Sequence, residues 1–303
     1  MKSKTLGYVF VLLAVTIFAA QDGFTKLLSD RYPPLMVTMI RFWAFAGFVI
    51  VLAATSPAGL RGAMVTKRPF LQIGRGLFLV AEIVLVVFAY KTAGLAMSQS
   101  ILQAAPLLVT VLSVPFLGEK VGWRRGIAIA TGLFGVLVIL NPVDVHFDIS
   151  LLLPLTAALI YAIYSVATRA VSRYDSSVTS VLYAGLAGAV AVSTIGPFYW
   201  TPIAAHDWLP MAALCICGAV SHYFLIKAYS FLEAVEVQPV TYVQLVLSVG
   251  VAVVFFNEAI TWNMVLGALI VVGAGLFTVW REHRLGKRGA YLDQKRSDGE
   301  GPA

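Results

Sequence analysis

Long apolar runs, cut by short polar segments, follow one another along this chain. Read between the polar breaks, they predict ten helices, over about 6–28, 35–54, 70–90, 94–117, 123–141, 150–171, 178–199, 209–231, 234–256 and 262–280. Each run has roughly the twenty residues at which a helix crosses a bilayer core. Runs such as GIAIATGLFGVLVIL lack the alternation of barrel strands, so an all-α integral membrane bundle is expected. The breaks carry Pro, Gly or charge, as in SDRYPP, NPVDVHFD and WTPIAAHD. They are weakest near Lys91–Ala96 and Leu232–Val237, where neighbouring helices nearly merge.

The pattern is written twice. FLGEKVGW (116–123) and FFNEAITW (255–262) align at a shift of 139 residues, which also pairs Tyr90 with Tyr229 and Gln99 with Gln238. The same shift sets Gln103 against Tyr242 and Glu119 against Glu258. At a shift of 143, AAQDGFTKLLS (19–29) meets AIYSVATRAVS (162–172). The opening segment is therefore one arm of a repeat and is read as a helix, not as a removable leader. Two five-helix units are predicted, 1–143 and 144–281, followed by a basic, disordered cytoplasmic tail, 282–303.

Five is odd, so the second unit enters the membrane from the other side. Lys120, Arg124 and Arg125 follow the first Glu, whereas Ala259, Asn263 and Met264 stand in those places in the second copy. Most of the 22 Lys and Arg fall on segments that are cytoplasmic if the N-terminus is inside. Two inverted repeats with both termini cytoplasmic, in the cell's inner (plasma) membrane, are expected. An inverted pair is an architecture of alternating-access transporters, with the substrate bound near the midplane between the halves.

Composition agrees and excludes alternatives. The chain is 59% hydrophobic and 12% charged, with a mean hydropathy of +0.86; soluble domains carry roughly twice that charge. The net charge of +7 does not form a nucleic-acid stripe, and the only dense basic segment is the tail from Arg281 to Arg296, mixed with Glu282 and Asp293. Cys215 and Cys217, two apart on one helix, suit neither a disulfide nor a shared metal. The chain has no GxxxxGK[ST], HExxH or GxSxG, so an enzyme, an ATP engine, a cofactor and a bound metal are not expected. A gradient of substrate, protons or another ion would have to drive any movement.

Ionisable groups inside spans are costly, about 2.5–3.5 kcal/mol each at a helix centre, so each asks for a partner or a wet cavity. Asp22 and Lys26 stand one turn apart on the first helix and predict an ion pair. Glu82 lies mid-span in the third helix, and His222 lies nearly at the equivalent place in the eighth. Gln99 and Gln103 share a face of the fourth helix, as Gln238 and Tyr242 do in the ninth, which predicts a common central cavity. Arg41 and Arg75 are expected to snorkel or to bind backbone, and Glu119 and Glu258 to favour the N-terminus of the helix each precedes. Glycines 118, 122, 126, 267, 273 and 275 predict close helix packing. Pro106 predicts a bend in the fourth helix, and Leu245 in its counterpart predicts none.

Arg41, the stretch AAPLLVTVLSVPFLGEKVGWRRGIAIATGLFGVLVILNP and the stretch YVQLVLSVGVAVVFFNEAITWNMVLGALIVVGAGLF together resemble the EamA-type members of the drug/metabolite transporter superfamily. That resemblance covers all but the tail and implies ten helices, with a cavity lined by the first, third, fourth, sixth, eighth and ninth. It brings Asp22, Glu82, Gln103, Tyr164, His222 and Tyr242 forward as cavity residues. KRPFLQIGRGL (67–77) further resembles members that take up riboflavin or S-adenosylmethionine. The expectation is a secondary transporter of a small organic metabolite. Export of amino acids or drugs, and a non-transporting scaffold or receptor subunit, are the alternatives.

Overall fold

A computed structural model describes residues 2–118, 123–141, 148–171, 174–229, 231–232, 234–277 and 280. The chain folds into helices α1 (Lys2–Arg31), α2 (Pro34–Ala54), α3 (Gly59–Ala63), α4 (Pro69–Thr92), α5 (Leu95–Leu102) and α6 (Ala105–Leu117). It continues through α7 (Trp123–Leu140), α8 (Leu152–Val171), α9 (Ser177–Ile195), α10 (Trp208–Tyr229), α11 (Ala234–Phe256) and α12 (Trp262–Phe277). Among the described residues seven spans are long and apolar enough to cross a membrane, with α5 and α6 counted together, and three shorter apolar helices complete the ten that were expected.

The fourth predicted helix is two helices. Pro106 has no N–H to give the carbonyl one turn earlier, so the helical ladder stops at Leu102. Tighter bonds span the joint: Ala104 N–H donates to Ile101 O at 3.0 Å, and Leu107 N–H donates to Ala104 O at 3.0 Å. Where Leu245 replaces the proline, α11 runs unbroken for 23 residues.

Side-chain contacts fix the helix directions. Tyr90, late in α4, bonds Asp22, late in α1, so these two run parallel. Arg75, early in α4, bonds Tyr164 and Thr168, late in α8, so those two run antiparallel. It follows that α8, which opens the second half, runs against α1. The inversion expected from an odd helix count is thus visible in the packing. The closest cross-packed pairs also exchange with the halves: α1 lies on α10 as α8 lies on α4, and α2 lies on α9.

The α1–α10 and α8–α4 pairs are each tied by an aspartate at one end. Asp207, just before α10, accepts hydrogen bonds from Arg31 and from the Tyr32 hydroxyl at 2.8 Å, and that hydroxyl accepts from Ala204 N–H. At the opposite end Asp175, just after α8, accepts from Thr66, from Lys67 N–H at 3.1 Å and from Gln72 at 2.9 Å. Partial burial pushes the Asp175 carboxyl up, but hydrogen bonds from Thr66, Gln72 and Lys67 outweigh it and hold the group below the usual carboxylate range.

Glycines pack α7 onto α12, where Gly135 faces Ile270 and the Gly267 carbonyl. Gly275 lies directly under the Tyr242 hydroxyl. Two expected packing glycines, Gly126 and Gly273, have open space where a side chain would stand, and Gly118 instead adopts the left-handed φ of 70° that ends α6. Gly122 lies outside the described residues.

Candidate functional site

Two polar clusters lie inside the bundle. The first centres on Asp22, which is 6% exposed. Its Oδ2 accepts from Gln99 Nε2 (2.7 Å), Ser248 Oγ (2.9 Å) and Gln244 Nε2 (3.0 Å), and its Oδ1 accepts from the Tyr90 hydroxyl (3.1 Å). Gln99 also donates to that hydroxyl at 2.6 Å. One carboxylate thereby joins α1, α4, α5 and α11 through neutral donors, which is how a buried charge is held without a counter-ion. The expected Asp22–Lys26 pair does not form. Lys26 Nζ instead reaches Asp30 at 2.8 Å, one turn the other way and nearer the helix end, where the carboxylate is exposed.

The second cluster lines a cleft among α2, α4 and α10. Its walls are Arg41, Phe42 and Phe45 from α2, Leu79 and Ile83 from α4, and Cys215, Gly218, Ala219 and His222 from α10. Glu82 lies beside Ile83 and within electrostatic reach of Arg41. Neither Arg41 nor Glu82 makes a hydrogen bond, or an ion pair within 4.0 Å, to any described residue. His222 Nδ1 lies 2.7 Å from the Gly218 carbonyl, an oxygen that can only accept, so Nδ1 carries the proton and Nε2 is left free in the neutral ring. Phe18 and Phe45 clasp the imidazole at ring distances of 5.1 and 5.2 Å. Behind Gly218 stands Gln21, 3% exposed, whose Oε1 has no hydrogen-bond partner among the described residues. A side chain at position 218 would meet that Oε1 at 3.2 Å and Arg41 Nε at 3.9 Å. Glycine here keeps both polar groups within reach of the cleft.

The residues singled out from the sequence therefore separate. His222 lines the cleft together with Arg41, which had been expected to be structural, and Glu82 lies within electrostatic reach of Arg41 without lining the cleft. Asp22 and Gln99 belong to the other cluster. Tyr164 is engaged by Arg75, which donates to its hydroxyl at 3.2 Å and also binds the Ser180 carbonyl, the backbone role expected of it. Tyr242 is buried against Gly275 of α12. Gln103 caps the end of α5, and Gln238 lies on α11 with its side chain outside those described. Glu258 binds the start of α5, accepting from Leu95 N–H and Ala96 N–H at 2.8 Å each. That is a correction: it serves a helix N-terminus in the other half, not that of the helix it precedes. Gly94, at φ 84°, lets the carboxylate approach. Glu119 lies outside the described residues. Gln21, Gln244 and Ser248 were missed, although the first two are uncharged polar residues inside apolar runs and could have been flagged on that ground.

An inverted helical bundle with a polar cleft between its halves is a transporter architecture, and comparison with known proteins agrees. The EamA-like transporter family matches residues 5–141 and again 148–280. The chain belongs to this family. Among its EamA-like relatives, an S-adenosylmethionine uptake transporter of Rickettsia conorii is 26% identical over 284 residues, covering 94% of this chain and 96% of that one. A riboflavin transporter of Vibrio cholerae is 28% identical over 286 residues (90% and 93%), and a pseudopaline exporter of Pseudomonas aeruginosa is 22% identical over 270 (88% and 94%). A solved crystal structure, 21% identical, superposes with a TM-score of 0.59 over 94% of this chain and 98% of that one, a likeness of fold alone. The EamA-like chain is thus a multi-pass membrane transporter.

Proposed function

We propose that this protein is a secondary transporter that takes up a small organic metabolite of the S-adenosylmethionine or riboflavin kind by alternating access, without ATP. The observation that carries the reading is the cleft: Arg41 and His222 line it from α2 and α10, helices drawn from both halves, with Glu82 of α4 within electrostatic reach of Arg41. Aromatic faces beside polar groups suit a planar metabolite with a charged or hydrogen-bonding end. The two halves, 1–143 and 144–281, act as the inverted units, and both termini face the cytoplasm across the inner membrane. Because α1 packs on α10 and α4 on α8, the moving bodies are cross-half pairs and not the sequence halves themselves. Proton coupling falls on Asp22 or Glu82, the carboxylates within the spans that lack a hydrogen-bonded cation among the described residues.

The reading is tested by counterflow. The purified chain in ATP-free liposomes should exchange labelled S-adenosylmethionine or riboflavin for the same unlabelled compound. No exchange of either, nor of any competing amino acid or nucleoside, would leave a non-transporting role. Loading one side only then decides between uptake and the export named for the Pseudomonas relative.

A further inference from the structure

We propose that the segment joining α2 to α4, residues 55–70, is a docking surface for anionic phospholipid headgroups, with Arg61, Lys67 and Arg68 as its cations. The proposal concerns the membrane and not the substrate, so it stands or falls apart from the transport reading. Charge and exposure carry it. Within the segment, α3 is seated through the buried Ala63, which packs with Val49, Ala53 and Leu182. Arg61, Lys67 and Arg68 are left exposed. Their side chains make no hydrogen bond, and no ion pair within 4.0 Å, to a described residue, and the Arg68 guanidinium lies 4.9 Å over the Tyr174 ring. No Asp or Glu occurs between Asp30 and Glu82. Asp175, which reaches the segment from the end of α8, is already taken by Thr66, Lys67 N–H and Gln72. The cations therefore have no anion of their own.

Apolar side chains interleave with them. Met64, Val65 and Phe70 are 52%, 74% and 89% exposed. Both flanking helices are spans, so the segment stands where headgroups meet acyl chains. At that depth apolar side chains enter the acyl layer, and long cationic ones reach back to the phosphates. The inverted repeat supplies a control. Its counterpart segment, 196–209, also ends in an aspartate tie, at Asp207, yet has no Lys or Arg. It exposes Phe198, Tyr199, Trp200 and Trp208, the rings of a neutral interface belt. A positive-inside bias accounts for cations on one face, but not for their mixing with exposed apolar side chains. A headgroup on Lys67 and Arg68 also sits beside bonds that hold the bundle: Lys67 N–H donates to Asp175, and the Tyr183 hydroxyl of α9 donates to the Met64 carbonyl at 2.9 Å. Lipid seated there steadies the ends of α8 and α9 against α4.

The test titrates the full-length protein, in neutral detergent micelles, with phosphatidylglycerol or with phosphatidylcholine of the same acyl chains, and follows the melting temperature. Phosphatidylglycerol should stabilise at roughly 10- to 100-fold lower concentration, the range for two or three cations near an anionic surface. The triple variant Arg61→Gln, Lys67→Gln, Arg68→Gln should lose most of that preference while melting, without lipid, close to the wild type. Phe70→Ser should weaken both lipids alike. Lys91→Gln, an exposed lysine at the other end of α4, should keep the preference. Equal action of the two lipids on the wild type, an unchanged preference in the triple variant, or a loss in Lys91→Gln as large as in the triple variant overturns the proposal. Soluble glycerol 3-phosphate that abolishes the preference at millimolar concentration would mark a phosphate site and not a lipid surface, and overturns it as well.

Discussion

Around Asp22 every strong polar group has a partner; around Arg41 several have none. Both clusters are enclosed by helices, and the sequence cost of placing a charge there is the same. What differs is the company. Asp22 meets four donors from three other helices, and none of them is charged. Arg41 meets mostly aromatic and aliphatic walls. A saturated cluster holds a bundle together, whereas an unsaturated one can still bind something. Intramembrane charge alone therefore does not mark a binding site, and the tally of hydrogen-bond partners separates the two cases.

The contrast is broken most severely at the saturated end. Asp22→Ala leaves the Gln99, Gln244 and Ser248 donors without their acceptor, at about 1–3 kcal/mol for each buried group that water cannot reach. The melting temperature in detergent should fall by several degrees or more, the largest loss among these variants. Arg41→Gln should instead keep the melting temperature and lose ligand affinity, which thermal shift with and without ligand reads in one experiment. Equal destabilisation by the two variants would erase the distinction.

Smaller effects sharpen the packing elsewhere in the bundle. Gly275→Ala drives a methyl into the Tyr242 hydroxyl and should cost about 1–3 kcal/mol by overpacking, whereas Gly273→Ala, with open space around it, should be neutral or slightly stabilising. Pro106→Leu gives the first half the residue its counterpart has at 245. It should raise thermal stability modestly by joining α5 to α6, and lower turnover in counterflow by a factor of a few if that joint moves during the cycle.

The smallest change near neutral pH comes from the Asp175 tie. Its carboxyl is depressed in the folded state, so its contribution is fully present above the unfolded value near 3.9 and is lost as pH falls through the lower folded one. Asp175→Asn should therefore lower the melting temperature slightly from pH 5 to 8. The gap to wild type should close below about pH 4, the region of the ordinary carboxylate titration.

Helix number, the repeat and the inverted topology were legible because apolar runs and basic flanks are local properties. The proline break was legible for the same reason, since a missing N–H acts within one turn. Partner choice was not. Lys26 has a carboxylate four residues away on each side, and spacing cannot say that Asp22 turns inward to Tyr90 and Gln99 while Asp30 stays near the surface. Glu258 was matched to the wrong helix because its partners at 95 and 96 lie 163 and 162 residues away in sequence. The repeat itself misled in one respect. It drew attention to Gln238 and Tyr242, which have counterparts, and away from Gln244 and Ser248, which close the Asp22 cluster without any.

Cys215 offers the most direct test that the unsaturated cleft is the substrate path, because its thiol lines that cleft beside Arg41. With Cys217→Ser removing the other free thiol, the rate at which a small water-soluble methanethiosulfonate labels Cys215 would be measured in liposomes, with and without a compound that the protein exchanges. The account predicts that labelling proceeds and that the exchanged compound slows it in proportion to its occupancy, with no such protection in Arg41→Gln at the same concentration. Labelling that ignores a compound the protein demonstrably carries would place the path elsewhere.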